Sequence, residues 1–313
     1  MTYAERKEEE LKRQIIPETK RADFEEFWRG QVDMLRKIPI KMTRKRLDLP
    51  YKSFDAYEIS FNTHDKTEVY AYFCVPKHRE GQRLPCVAMF HGGGGASGIY
   101  PDIVATGVCT FSSDVRSQGA NTYDKAEYDI CDDYRGALMT HNLDDKSTFY
   151  MRNIYLDAIR TIDVIETLPE VDPERIVAHG ESQGGALTIV AGALSGKVKK
   201  IYPAVTSFSC LEKRVEAGSG VFEATKKFLT KHPEYTDVAL DTLTYFDINN
   251  MTSLLNIPSH FMLGLIDPTC LPPFVYSAYA HAGGEKKITL APFTPHRCSE
   301  QYKMEILREF AEL

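Results

Sequence analysis

The chain has 313 residues, 43% hydrophobic and 26% charged, with a formal net charge of -6. This is the composition of a soluble globular protein long enough to bury a core without disulfides. The acidic balance excludes a general nucleic-acid binder, and the lack of any run of about 18 apolar residues argues against a membrane span.

The charged start, Met1 to Glu10, lacks the apolar stretch of a signal peptide. Residues 23–37 read as a helix. Asp23 and Glu26 have capping-box spacing, and Phe24, Phe27, Trp28, Val32 and Leu35 form one apolar face. The short basic run Lys41 to Arg46 reads as a solvated strand or loop face. Three extended segments, 42–48, 54–61 and 67–75, predict an antiparallel start to a sheet. After a polar turn at 78–82, strands at 85–90, 106–112, 174–179, 199–205, 258–264 and 286–291 alternate with helices at 150–168, 184–196, 272–281 and 299–311. That rhythm predicts an α/β protein with a mostly parallel central sheet and helices on both faces. We expect one domain over 1–313, with an N-terminal helical extension over 1–40. Two stretches break the rhythm. Residues 119–148 are acidic and polar, and 206–256 form a helical insertion expected to cover the active-site end of the sheet.

Seven cysteines, an odd number with no Cys-x-x-Cys pair, suggest neither a disulfide framework nor a zinc motif. No cofactor or metal is expected, and a reducing, cytoplasmic location is.

Residues 179–185 read His-Gly-Glu-Ser-Gln-Gly-Gly. Strand, Gly180-x-Ser182-x-Gly184 and helix in succession match a nucleophile elbow. A serine hydroxyl is a poor nucleophile without a base, and the base needs an orienting acid. In this fold the acid and then the histidine follow the serine. His232, His260, His281 and His296 follow Ser182. His296 lies just past the 286–291 strand, whereas His260 sits within a strand and His281 at a helix end. Asp267 follows the 258–264 strand; it is the candidate acid, with a turn or helix-cap role as the alternative. Residues 91–95, His-Gly-Gly-Gly-Gly, directly follow a strand. The N–H groups of Gly93 and Gln183 are the candidate oxyanion donors. A phosphate loop is excluded in detail, since no Gly-Lys-Ser/Thr follows.

These pieces, with Phe90-His-Gly92, Asp114-Val-Arg116-Ser-Gln118-Gly119, Tyr245-Phe-Asp247 and Gly264-Leu-Ile-Asp267 before Cys270, resemble the acetyl xylan esterase/cephalosporin C deacetylase family of α/β-hydrolases, carbohydrate esterase family 7. The resemblance runs from about residue 20 to the end. It implies Ser182, Asp267 and His296 as the triad, Gly93 and Gln183 at the oxyanion hole, and Arg116 and Gln118 as a supporting motif. It also implies deacetylation of small substrates such as xylo-oligosaccharides and cephalosporin C by a cytoplasmic homohexamer. The sequence departs from the family pattern at four places. Ser117 stands for glycine, Gly93 for an aromatic residue and Arg297 for glutamate, and Cys270-Leu271-Pro272 is one residue longer than usual. The last three changes fall near the expected pocket. Two other readings stay open: an α/β-hydrolase acting on another ester, a lactone or an amide, and a binding protein that has lost catalysis.

Overall fold

The computed structural model describes residues 1–77, 81–118, 121–130 and 137–313. The start of the 78–82 turn, Gly119 of the arginine motif, and Cys131, Asp132 and Asp133 of the acidic stretch lie outside the described residues.

Strands β1 (Met42–Arg46), β2 (Phe54–Asn62) and β3 (Glu68–Pro76) form an antiparallel meander. Six strands then run parallel: β4 (Leu84–Phe90), β5 (Cys109–Ser113), β6 (Val171–Glu181), β7 (Lys200–Ala204), β8 (Ser259–Gly264) and β9 (Lys286–Ala291). Together they make one nine-stranded sheet in the order β1-β2-β3-β5-β4-β6-β7-β8-β9. Every residue of β4 is buried, as expected for a strand covered on both faces. Its residues alternate between two cores. Cys86, Ala88 and Phe90 face one side, with helices α2 (Phe24–Arg36), α4 (Tyr150–Glu166) and α5 (Gln183–Leu194). Val87 and Met89 face the other, with the short helix α3 (Pro101–Val104) and the last helix, Glu300–Ala311.

The 206–256 region holds α6 (Leu211–Ala217), α7 (Phe222–Lys231), α8 (Thr236–Thr244) and α9 (Ile248–Met251). Part of it is pinned to the helical face: Trp28 Nε1 donates to Tyr245 O at 2.8 Å and Tyr155 Oη donates to Phe246 O at 2.7 Å. Helices α10 (Pro272–His281) and α11 (Glu300–Ala311) complete the chain.

The N-terminus corrects the expected capping. A first helix, α1 (Tyr3–Lys12), carries the capping box: Glu5 N–H donates to Thr2 Oγ1 at 3.2 Å and Thr2 N–H to Glu5 Oε2 at 2.6 Å. Asp23 makes no side-chain cap for α2. Its carboxylate is taken by Tyr245 Oη and by Lys146 Nζ, which outcompete the local backbone.

Candidate active site

Ser182 stands between the last residue of β6 and the first of α5, at φ 58° and ψ -117°. Non-glycine residues occupy that region only where the surroundings over-determine it. Here Ser182 N–H donates to Ala204 O on β7 at 2.9 Å, and Ser182 O accepts from Ser207 N–H at 2.9 Å. The flanking glycines have a steric cause. A Cβ on Gly180 would sit 2.4 Å from Gly184 O, and one on Gly184 only 1.9 Å from Phe90 O. Strand, turn and helix therefore touch backbone to backbone.

Asp267 follows β8 and is almost wholly buried. Its Oδ1 accepts the N–H groups of Thr269 and Cys270, both at 2.8 Å, and its Oδ2 pairs with His296 Nδ1 at 2.7 Å. The turn role and the imidazole role weighed for this residue are both filled, one by each oxygen. His296, in the loop after β9, lines the same pocket of about 530 Å³ as Ser182. Among the described residues no hydrogen bond joins the Ser182 hydroxyl to the imidazole. Such contacts are commonly loose before substrate arrives. The other histidines are engaged elsewhere: His260 with Glu309 and Thr289, and His281 with Ile16 O.

Asp267, and after it the Cys270 sulfur, favour the imidazolium form and hold His296 well above its ordinary value of 6.5. A general base must be neutral, so hydrolysis is expected to climb as pH rises through the ionisation of His296. Cys270→Ala removes one of the two supports of the cation. The acid limb of the pH profile of kcat/KM should move to lower pH in that variant, while an unmoved limb would mean that Asp267 alone sets it.

The glycine loop after β4 is anchored at both ends. His91 Nε2 accepts Val115 N–H at 2.9 Å, and its Nδ1 donates to Gly92 O at 2.7 Å. Gly94 N–H donates to Gln118 Oε1 at 3.1 Å and Gly95 N–H to Gly92 O at 3.0 Å. The Gly93 N–H has no partner among the described residues. The Gln183 N–H, at the first position of α5, lacks an intrahelical acceptor. Gln118 ties the two donor segments together. Its Nε2 donates to Gln183 Oε1 at 2.9 Å and to Tyr150 Oη at 3.0 Å, and Tyr150 donates to Arg116 O at 2.7 Å.

Arg116 is fully buried beneath this loop. It meets Asp157 at 2.6 and 2.8 Å, Asp65 at 2.7 Å and Asp124 at 3.0 Å. Asp124 of the acidic 119–148 stretch is thus a partner for a buried cation. The next residue, Ser117, has φ 57°, the left-handed conformation for which glycine carries no penalty. Its hydroxyl accepts only a 3.4 Å contact from Asp124 N–H. Relief of left-handed strain should outweigh the entropy cost of glycine, so Ser117→Gly should raise stability by about 0.5–1 kcal/mol. A denaturant midpoint that falls instead would mean that the hydroxyl matters more than the backbone.

Gly93 lines the pocket, as expected. Arg297 does not: it is exposed and outside the lining. Among the lining residues that sequence reasoning missed are the polar side chains of Tyr100, Asp102, His179, Glu181 and Lys303. His179 and Glu181 lie inside the serine motif itself. Tyr100 and Lys303 carry no local signal, since only the packing of α3 and α11 over the sheet brings them to the site.

This architecture, with a strained serine turn at the crest of a mostly parallel sheet, places the chain among the α/β-hydrolases. Within them it belongs to the acetyl xylan esterase family, a family of carboxylic ester hydrolases: the family model described as acetyl xylan esterase (AXE1) matches residues 1–312. Acetyl esterase Axe7A of Xylanibacter ruminicola is 26% identical over 285 residues, which is 88% of this chain and 63% of that protein. The chain thus spans less than two thirds of that relative's length. Among solved structures, the acetyl xylan esterase of Paenibacillus sp. R4 superposes with a TM-score of 0.91 at 28% identity, covering 100% of this chain and 99% of that one. Acetyl xylan esterase 1 of Thermoanaerobacterium sp. JW/SL YS485 has the same fold, with a TM-score of 0.89 at 23% identity over 97% and 98% of the two chains.

Proposed function

We propose that this protein is a serine esterase that removes acetyl groups from small acetylated carbohydrates such as xylo-oligosaccharides. The observation that carries the reading is the 2.7 Å pairing of buried Asp267 with His296, which lines the same pocket as Ser182. The names of its relatives, acetyl esterase and acetyl xylan esterase, point the same way. His296 Nε2 takes the Ser182 proton as Oγ attacks the acetyl carbonyl. Asp267 holds the imidazole in the Nδ1–H tautomer and stabilises its cation. The Gly93 and Gln183 N–H groups receive the oxyanion. The imidazolium then protonates the departing sugar alcohol, leaving acetyl-Ser182. Water, deprotonated by His296, attacks that ester; acetate leaves and the serine is restored.

Cephalosporin C, an acetyl ester of a small bicyclic alcohol, is a second proposed substrate. A cytoplasmic homohexamer completes the reading carried over from family resemblance. The free, buried state of Cys74, Cys86, Cys109, Cys210, Cys270 and Cys298 suits a reducing compartment. Light scattering tests the assembly.

One observation favours a wider acyl range. A Cβ on Gly93 would meet no atom nearer than 3.8 Å, so the pocket has room where an aromatic side chain would close it. The test is hydrolysis of p-nitrophenyl acetate, butyrate and octanoate. An acetyl esterase should favour acetate over octanoate by at least about tenfold in kcat/KM, the scale that a few methylenes set in an apolar pocket. Preference for the longer esters would overturn acetyl specificity and leave the serine mechanism standing.

A further inference from the structure

Two side chains of the serine turn take no part in this chemistry. His179 and Glu181 flank Gly180, and both line the pocket. Two residues apart on a strand, they lean to the same face of the sheet. Cys298, 117 residues beyond Glu181, comes to meet them from the segment before α11. One ring nitrogen of His179, one carboxylate oxygen of Glu181 and the Cys298 sulfur all lie within 4.8 Å of one another.

The surroundings of this cluster orient it. His179 Nδ1–H donates to the Tyr202 carbonyl at 2.7 Å. That bond fixes the tautomer and leaves Nε2 with its lone pair free and no protein partner among the described residues. Metal-ligating histidines are held in this way, with the second ring nitrogen donating to a carbonyl. Glu181 Oε2 accepts Cys298 N–H at 3.1 Å, which keeps the carboxylate beside the thiol. Imidazole, thiolate and carboxylate are a donor set suited to zinc-class cations, and three protein ligands with an open fourth position characterise accessible zinc sites. Tetrahedral bonds of roughly 2.0–2.3 Å put ligand atoms about 3.4–3.6 Å apart, so no gap between two of these atoms, at most 4.8 Å, need close by more than about 1.4 Å. Lys303, on the same pocket wall, opposes a cation. Its ammonium is half exposed and paired with Glu300 at 3.1 Å, which screens it.

A second cluster, Asp267, Cys270 and His296, has the same spread. It suits a cation less well. His296 Nδ1 is already held by Asp267, and the buried guanidinium of Arg214 lies against Cys270.

We propose that His179 Nε2, the Glu181 carboxylate and the Cys298 sulfur bind a zinc-class divalent cation, with the fourth position open to the pocket. The Cys298 thiol gives its proton to solvent as its sulfur bonds the ion, and no electron changes hands. An ion there occupies the wall beside Ser182 and competes with the ester. That competition rests on the esterase reading; the binding does not.

The test is titration of the full chain with Co²⁺, read by absorbance, in a Ser182→Ala background as well as in the natural chain. The expected result is one Co²⁺ per chain, with tetrahedral visible bands and a near-ultraviolet sulfur-to-cobalt band, both displaced by Zn²⁺. The sulfur band should vanish in Cys298→Ser and persist in Cys270→Ser. His179→Asn should weaken cobalt binding by at least about tenfold. Absence of a sulfur band overturns the site. So does a band lost in Cys270→Ser and kept in Cys298→Ser, which would put the ion at the other cluster. Should Cys298→Ser fail to fold, unchanged cobalt affinity in His179→Asn overturns the proposal by itself. Because the readout is absorbance, its failure leaves the esterase reading untouched.

Discussion

Ser182→Ala lowers kcat on p-nitrophenyl acetate by on the order of 10⁴-fold or more, with the fold intact. The size of the effect follows from what remains. Without Oγ no acyl-enzyme forms, and His296 is left to activate water at a site shaped for a serine. The oxyanion donors of Gly93 and Gln183 still act, so a residual rate about 10³-fold above uncatalysed hydrolysis persists. The fold survives because the φ of 58° at this position is imposed by the Ala204 and Ser207 backbone bonds, neither of which uses the hydroxyl. Asp267→Asn should lose a similar amount, since an amide donating to Nδ1 would turn the imidazole to the wrong tautomer. Full acetyl esterase activity in Ser182→Ala would end the serine mechanism. Natural protein that folds but resists a fluorophosphonate would point instead to a binding protein that has lost catalysis.

Much of this was legible in the chain order of residues. The parallel strands stand out because burial on both faces makes them continuous apolar runs, as in Cys86 to Phe90. Ser182, Asp267 and His296 were singled out because each falls just past such a run, where open α/β sheets present their ligands. Residues 1–40 were expected to be helical, but the first helix and its cap were not delimited although Thr2 and Glu5 signal them; the same spacing at Asp23 and Glu26 drew the capping role instead. There tertiary partners, Tyr245 and Lys146, override the local signal. The carboxylates around Arg116 were beyond reach for a different reason. Asp65, beside β3, meets it because β5 pairs with β3, and Asp157 comes in on α4, placements that no local pattern encodes; Asp124, eight residues on, is the one local partner. The meeting of His179 and Glu181 with Cys298 depends likewise on how α11 returns over the sheet.

Arg116→Ala is the largest stability loss we expect outside the serine turn: about 3–5 kcal/mol, and a Tm lower by on the order of 10 °C. The arginine is fully buried, and its single positive charge is shared by three carboxylates. Removing it leaves them uncompensated where water cannot replace it. The loss carries a pH signature. Burial alone would raise the Asp65 carboxyl, but Arg116 pulls it down from 3.8 to about 2. A depressed carboxyl contributes stability above its unfolded value that disappears as pH falls through its folded value. The gap between the natural chain and Arg116→Ala should therefore be full above about pH 4 and narrow as pH falls toward 2. Thermal melts at pH 7 and pH 3 measure it, and an equal gap at both would mean that lost packing, not lost charge, dominates. The variant should also slow hydrolysis. The Arg116 carbonyl accepts Tyr150, Tyr150 accepts Gln118, and Gln118 holds the Gly94 N–H in the loop that presents Gly93. A displaced Arg116 backbone loosens the oxyanion donor from behind, so kcat should fall more than KM rises.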